Sequence, residues 1–504
     1  MSSYKKLLKC LLLFYLILVF LFCISPFGQA ATYYVAPGGD DYNPGTEAKP
    51  WRTLDKAADT MEAGDTVYVK AGSYSGFDVS RSGTPDNYIS YLAYPGATPE
   101  IGQIYFQYGA SYNRFVGFEI TPASGGGVIM DHNNDRNIIS NCHIHNSSSV
   151  GVDLSGGSDF NIIEDCEVHD CYYAFHTSGS TNKGNIFRGN ECYNLSDDGF
   201  NFSPSTKDTQ VISNVIYNVD RDGSGGADGI HLYDDGSAIV RGNIVYIDGA
   251  STGGVFWIHG GANHSVENNT FVGLPGFSAT YGGIVCVELA SNVILKNNIG
   301  YSSSNSVGVL MMEGSSTIDD YNDWFNKDNP SKCVYYNGEW KSVSQYQSED
   351  KRGLHCISQN PKFIDIENPP YDFQLQADSP CKGAGENGVD MGAYGVGPEE
   401  IIPPSKQIKV LNRPNPFRAG KENTLIVYNL SQPSNVTITI YDSLGQEVWL
   451  RSYQAGENGG RKENIVPWDG RNSSGNVVAN GAYVCRIWIE REMKSIVRKI
   501  AVAK

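Results

Sequence analysis

The chain has 504 residues, 55 acidic against 38 basic, for a formal charge of −17. A polymer this acidic offers no electrostatic footprint for nucleic acid. It would also repel an acidic substrate unless a basic group or a bound cation intervened.

Lys5, Lys6 and Lys9 precede an apolar run from Cys10 to Ile24, and Gly28-Gln29-Ala30 supplies small residues for cleavage. That order predicts a secretory signal peptide over residues 1–30, with an uncleaved anchor as the alternative. The run is short for a membrane span. Loss of the three lysines takes the charge from −17 to −20. Loss of Cys10 and Cys23 leaves nine of eleven cysteines. An odd count implies a free thiol or an intermolecular bond. Cys333, Cys356 and Cys381 fall in an irregular stretch and are candidates for one disulfide.

After the signal, one helix is expected from Thr53 to Met61, followed by the strand-like "GDTVYV". The middle of the chain then repeats: "NIISNCHIHN" from Asn137, "NIIEDCEVHD" from Asn161 and "NIFRGNECYN" from Asn185. Further copies start at Gln210, Ala238, Ser265 and Asn292, at intervals of 24 residues that lengthen to 27 or 28. Each unit alternates apolar and polar residues and lacks a helical stripe. Such a unit cannot bury its apolar side alone, so the units must stack as a solenoid. Three short strands and their turns fit in about 24 residues at ~3.3 Å per residue, which predicts an all-β fold, a parallel β-helix.

A second column reads Gly-apolar-x-apolar, with "GVDL" from Gly151, "GFNF" from Gly199 and "GIHL" from Gly229 among its members. Period-two alternation points the x residue outward. The outward column is therefore expected to run Ile129, Asp153, His176, Asn201, His231, Phe256, Val285, Leu310. "GGVFWIHGG" also permits a one-residue shift at Phe256. Four consecutive members are polar, Asp198 and Asp228 precede glycines of neighbouring coils, and Asp197 lies beside them. Like charges this close are best stabilised by a shared cation, which makes Asp153, Asp197, Asp198 and Asp228 candidate metal ligands. His176 and His231 titrate in the range useful for proton transfer. The rhythm breaks here, with 30 residues from Asn201 to His231, the surplus lying in "VDRDGSGGA" with Asp220, Arg221 and Asp222. Arg221 and Asn201 are candidate substrate contacts, and Tyr172, Tyr173, Tyr233 and Trp257 are candidate stacking surfaces for sugar rings. The bland reading is that Asp, Asn and Gly here are turn residues and solvent-facing polar groups.

The capping helix, the repeats, and "DYNDW", "NPKF" and "FQLQADSPCKGAGENGVDMGAYG" resemble secreted right-handed β-helix proteins of the pectate-lyase-like superfamily. On that basis residues 31–317 form the β-helix with its N-terminal cap, and 318–395 its closing segment. Asp197-Asp198-Gly199-Phe200 resembles the calcium-binding Asp-Asp-Gly-Phe of polysaccharide lyase family 9. The resemblance implies calcium on the substrate carboxylate and a lysine that takes the C5 proton of a uronate polymer. Asn201 stands where that family has an aspartate, His176 or Tyr173 where another ligand is expected, and no lysine lies in the strip. Lys207 and His231 are then the candidate bases. The alternatives are a glycoside hydrolase using Asp198 and Asp228, a uronate epimerase, and a non-catalytic glycan-binding or structural β-helix.

A Pro-rich link at 396–407 separates residues 408–504, whose short alternating strands predict a small β-sandwich. "NRPNPF", "VTITIYDSLGQEV" and "VPWDGRNSSGNVVANGAYV" resemble the FlgD-like Ig-like domain of the flagellar hook-capping protein. That likeness implies a spacer, sorting or cell-surface attachment role on an exported protein. Trp468-Asp469-Gly470 reads as a turn with a packed indole.

Overall fold

The computed structural model describes residues 30–395 and 411–503, apart from 180, 204–205, 222–224, 234–235, 250–252, 280–281, 370, 414–416, 431–432, 443–446, 462 and 490–493. The expected signal peptide, up to residue 29, and the Pro-rich link lie outside these residues, as does Asp222. No described helix is long and apolar enough to cross a membrane.

Residues 32–341 wind into a parallel β-helix of three sheets. A side sheet runs from Thr32–Val35 to Thr317–Asp320, a back sheet from Ser73–Tyr74 to Asp323–Asn326, and a front sheet from Phe77–Val79 to Val334–Tyr336. From Thr66–Val69 onward each coil contributes one strand to each sheet, in parallel register with the next coil. Inward residues of all three sheets, such as Phe175, Phe187, Phe200 and Phe202, form one continuous core.

The repeated Asn residues explain why the coils turn where they do. Between side and back sheets each coil places one residue at positive φ, including Asn141, Asp165, Gly189, Ser213, Gly242, Asn268 and Asn297, with φ from 51° to 69°. The next residue turns inward. From Asn190 onward it is a buried asparagine (Asn214, Asn243, Asn269, Asn298, Asn322) whose Oδ1 accepts the backbone N–H one coil earlier. A second ladder joins Asn113, Asn137, Asn161 and Asn185 in the same way. Turn amides that would otherwise be buried without partners are thereby satisfied.

The helix at the N-terminal end spans Leu54–Thr60, inside the predicted range. Thr53 caps it, its hydroxyl accepting from Lys56 N at 3.1 Å, and Leu54, Ala57 and Ala58 cover the first coil. The far end is closed by the antiparallel hairpin Val334–Tyr336/Glu339–Lys341 and the helix Val343–Asp350. Residues 357–394 then lie over the outside of the back sheet, where Phe363, Phe373 and Met391 pack on Ile244, Val272 and Ile299.

Two expectations are corrected. The front column holds from Ile129 through Asp153, His176 and Asn201 to His231. Beyond it the register shifts by one, so that His231 pairs with Trp257, Trp257 with Cys286, and Cys286 with Met311. Phe256, Val285 and Leu310, expected outside, are therefore core residues. The cause lies at Gly254, whose N–H donates to Asp228 Oδ1 and where a Cβ would stand 2.9 Å from that oxygen. A glycine takes the place beneath the carboxylate, and the outward position moves on to the indole. Secondly, Cys333, Cys356 and Cys381 are unbridged, as are all nine cysteines beyond the signal. Their thiols donate instead to Pro330 O, Asp319 Oδ1 and Asp323 Oδ2.

The C-terminal residues form a sandwich of a three-stranded and a five-stranded sheet around Ile426, Ile438, Ile440, Trp468 and Ile487. Trp468 is buried and its Nε1 donates to Arg471 O at 2.9 Å, the packed turn that its sequence context predicts.

Candidate active site

Three strands of the front sheet, Tyr173–Thr177, Phe200–Phe202 and Ile230–Tyr233, carry the ionisable strip. Asp198 and Asp228 occupy equivalent positions just before two of them, and each uses one oxygen to cap the following coil. Asp198 Oδ1 accepts from Asp228 N at 2.6 Å, and Asp228 Oδ1 from Gly254 N at 2.5 Å. These bonds draw both carboxylates below the surface, leaving Asp198 3 % and Asp228 0 % exposed.

Their other oxygens face His231. Its Nδ1 lies 3.4 Å from Asp228 Oδ2 and 3.7 Å from Asp198 Oδ2, and the three ligand atoms lie within 4.8 Å of one another. Asn201 Nδ2 donates to Asp198 Oδ2 at 2.5 Å. Asp228 Oδ2 and His231 Nε2 have no hydrogen-bond partner among the described residues. Burial, and then the Asp198 charge, push the Asp228 carboxyl well above the usual carboxylate range, against the pull of the Gly254 N–H. A buried pair of this kind favours one shared proton over two full charges.

Aromatic rings frame the imidazole. Trp257 stacks on His231 at 4.4 Å between ring centroids, and Tyr233 meets it edge-on at 5.4 Å. Trp257 is itself buried and in turn stacks on His259. Beyond Trp257 the column is apolar, with Cys286 and Met311 against Tyr335 and Trp340 of the closing hairpin. The open part of the front face thus ends at His231 and Tyr233.

The remaining candidates lie around this centre. Asp197 is held by the hydroxyls of Tyr172 and Tyr173, while burial and Asp198 raise its carboxyl. Asp153, two strands before Asn201, accepts from Ser155 Oγ and faces His176 Nδ1 at 3.3 Å. Tyr173 stacks on His176 at 5.5 Å. Arg221 points away from the strip, its Nη1 2.5 Å from Asp170 Oδ1 at the edge of the back sheet. Lys207 sits outside the front sheet in a two-strand pairing with Lys183, its stem against Gly236. The structure therefore gathers Asp198, Asp228, Asn201 and His231, with Asp197, Tyr173, Tyr233 and Trp257 around them. Asp153 with His176, Arg221 and Lys207 stand apart.

A calcium ion takes six to eight oxygens. The described donors here are two carboxylate oxygens not tied to backbone and one imidazole, which is not an oxygen shell of that size. With the Asn201 amide oxygen added, a calcium ion here would still draw the rest of its shell from water and the substrate carboxylate, and no step below depends on it.

Residues 33–244 match the family model described as "Pel9A-like, right handed beta helix region", and residues 415–488 match "FlgD Ig-like domain". Among solved structures, pectate lyase Pel9A is 17% identical, covers 73% of this chain and 97% of its own, and has a TM-score of 0.48. A rhamnogalacturonan lyase is 18% identical over 69% of this chain and 97% of its own, at a TM-score of 0.46. The uncharacterized protein YwoF of Bacillus subtilis (strain 168) is 41% identical over 68 residues, and the match spans 13% of this chain and 14% of that relative. Residues 33–244 are thus similar to Pel9A-like right-handed β-helix regions, and residues 415–488 to FlgD Ig-like domains.

Proposed function

We propose that the chain is a secreted or cell-surface enzyme that cleaves an acidic, uronate-containing polysaccharide by β-elimination, with His231 as the base. The observation that carries this reading is the convergence of two buried carboxylates on the Nδ1 of one imidazole at the end of the open front face. Its setting in a Pel9A-like β-helix region supports the substrate class.

With the pair sharing one proton, its remaining negative charge favours the His231 tautomer protonated on Nδ1 and leaves the Nε2 lone pair for the substrate. In the elimination Nε2 takes the C5 proton, the C4–C5 double bond forms, and the bond to the O4 leaving group breaks. As the imidazole gains charge, Asp198 and Asp228 stabilise it, an interaction stronger in the transition state than in the free enzyme. His231 Nε2 is covered in this conformation. Tyr233, edge-on and more than one-third exposed, is the ring that must swing aside. Asn201 orients Asp198, while Tyr173 and His176, further along the strip, contact neighbouring sugars. The C-terminal domain serves attachment or sorting.

A hydrolase built on Asp198 and Asp228 is disfavoured by geometry. Retaining enzymes separate their carboxyl groups by about 5–5.5 Å and inverting ones by about 6.5–9.5 Å, on opposite sides of a sugar. Here the facing oxygens lie within 4.8 Å of each other, and both groups are buried on one side. The experiment is a panel of acidic and neutral polysaccharides, with unsaturated products read by near-ultraviolet absorbance and new chain ends by a reducing-sugar assay. Absorbance that rises with wild type and not with His231→Ala supports the elimination. New reducing ends without absorbance support hydrolysis, and inversion at C5 without cleavage supports an epimerase.

A further inference from the structure

The outside of the back sheet carries two further columns. Glu119, His143, Glu167 and Glu191 stand in register on successive coils, and beside them His145, His169, Tyr193, Tyr217 and Tyr246. The second column is a ring stack, with His145 on His169 at 5.0 Å and 11°, His169 on Tyr193 at 4.6 Å and 14°, and Tyr193 on Tyr217 at 5.1 Å and 9°. Stacking of this kind is structural and needs no ligand.

His143 departs from it. Its ring leaves its own column and leans between the two stacked histidines, 4.3 Å from His145 and 4.8 Å from His169. This brings His143 Nε2 to 2.6 Å from His169 Nε2. His169 Nδ1 lies 2.7 Å from Asp170 Oδ2, and Asp170 is gripped by Arg221 at 2.5 Å. A carboxylate only accepts, so His169 carries its proton on Nδ1 and turns a lone pair on Nε2 toward His143. A carboxylate behind an imidazole, fixing tautomer and ring orientation, is the arrangement that supports metal-ligating histidines. Glu167, whose Oε1 accepts from Tyr193 Oη at 2.6 Å, brings a carboxylate oxygen within 4.8 Å of a ring nitrogen of each histidine.

We propose that His143, His169 and Glu167 bind a divalent first-row transition ion of the zinc type, bridging two successive coils of the back sheet. Two imidazoles and one carboxylate suit zinc, nickel or copper rather than calcium or magnesium. Zinc–nitrogen bonds of about 2.0–2.1 Å in a tetrahedron separate two ligand nitrogens by about 3.3 Å, so the His143 and His169 rings open slightly to admit the ion. Glu119 and His145, 3.1 Å apart, close the N-terminal side. The fourth position faces solvent and takes water. Arg221 and Asp170 act as positioning residues for His169. The site lies on a different sheet from His231 and is independent of the proposed elimination.

The test is zinc binding by the full-length, untagged, chelator-stripped protein, followed by titration calorimetry and by the visible spectrum of cobalt(II) as a substitute ion. Wild type should bind one zinc through this site and melt a few degrees higher with zinc than without it. His143→Ala and His169→Ala should each weaken binding at least tenfold and abolish the cobalt spectrum, and Asp170→Asn should weaken it by about 10–100-fold. Metal-free variants whose circular dichroism matches wild type separate ligand loss from misfolding. The proposal is overturned if wild type binds no zinc, if His143→Ala and His169→Ala bind as wild type does, or if His231→Ala alone removes the ion.

Discussion

Replacing Asp228 by Asn separates the catalytic account from a purely structural one, because the two disagree on activity while agreeing on stability. Asn keeps the Oδ1 that accepts from Gly254 N–H and removes the oxygen that no hydrogen bond satisfies. It also ends the repulsion with Asp198, whose facing oxygen lies within 4.8 Å. Two full charges at that distance repel by about 3.5 kcal/mol at an effective dielectric of about 20. The wild type avoids part of this by protonating Asp228, so the expected gain is smaller, about 1–3 kcal/mol at neutral pH. The sign with pH follows from the raised carboxyl. The native state holds the proton more tightly than the unfolded chain, so wild-type stability falls as pH rises from about 4 toward the folded pKa. The Asn variant lacks that loss, and its advantage should be absent near pH 4 and complete above the folded pKa. In the same variant an amide N–H faces His231 Nδ1, which favours the tautomer with its proton on Nε2. Turnover should then fall by about 10²–10⁴, the usual worth of a positioned base. Melting curves across pH and initial rates of absorbance increase measure both. A variant no more stable than wild type at pH 8, or one that retains full activity, would refute the reasoning.

His231→Ala should abolish turnover and leave the far-ultraviolet circular dichroism unchanged, because the side chain belongs to the outward column. Lys207→Ala should keep activity within about twofold, as expected of an exposed residue outside the strip; a larger loss would return the base to Lys207. Asn214→Ala should destabilise by about 3 kcal/mol in denaturant titration, since it strands the buried Asn190 N–H and removes two donations of its own. Calcium titrated against substrate-free enzyme should show no tight site at the strip, and Asp198→Asn should leave the calorimetric trace unchanged.

Much of the fold was legible because a β-helix writes its period into the chain. The 24-residue recurrence of Asn137, Asn161 and Asn185 is the ladder itself, each amide bonding to the next copy. The helix at Leu54–Thr60 falls within the expected Thr53–Met61, and Thr53 turns out to be its cap. The shift at Gly254 was harder to read, since "GGVF" offers two glycines and only the Asp228 carboxylate above one of them decides the register. Burial of Asp198 and Asp228 was also hidden, because residues before an outward-facing strand read as exposed until their bonds to the next coil are seen. The histidine cluster on the back sheet had a signal in "CHIHN" and "CEVHD", where alternation puts His143, His145 and His169 outward. What the letters do not carry is the lean of His143 out of its column. Arg221, which the inserted segment suggested for substrate, pairs instead with Asp170 beside the back sheet, a partner 51 residues away that sequence spacing does not reveal.

The most direct test of the central claim is near-ultraviolet absorbance during incubation of a uronate polysaccharide with wild type and with His231→Ala, both shown to be folded. The account predicts a steady rise for wild type and none for the variant. Equal rates from the two proteins, or reducing ends released without absorbance, would contradict it.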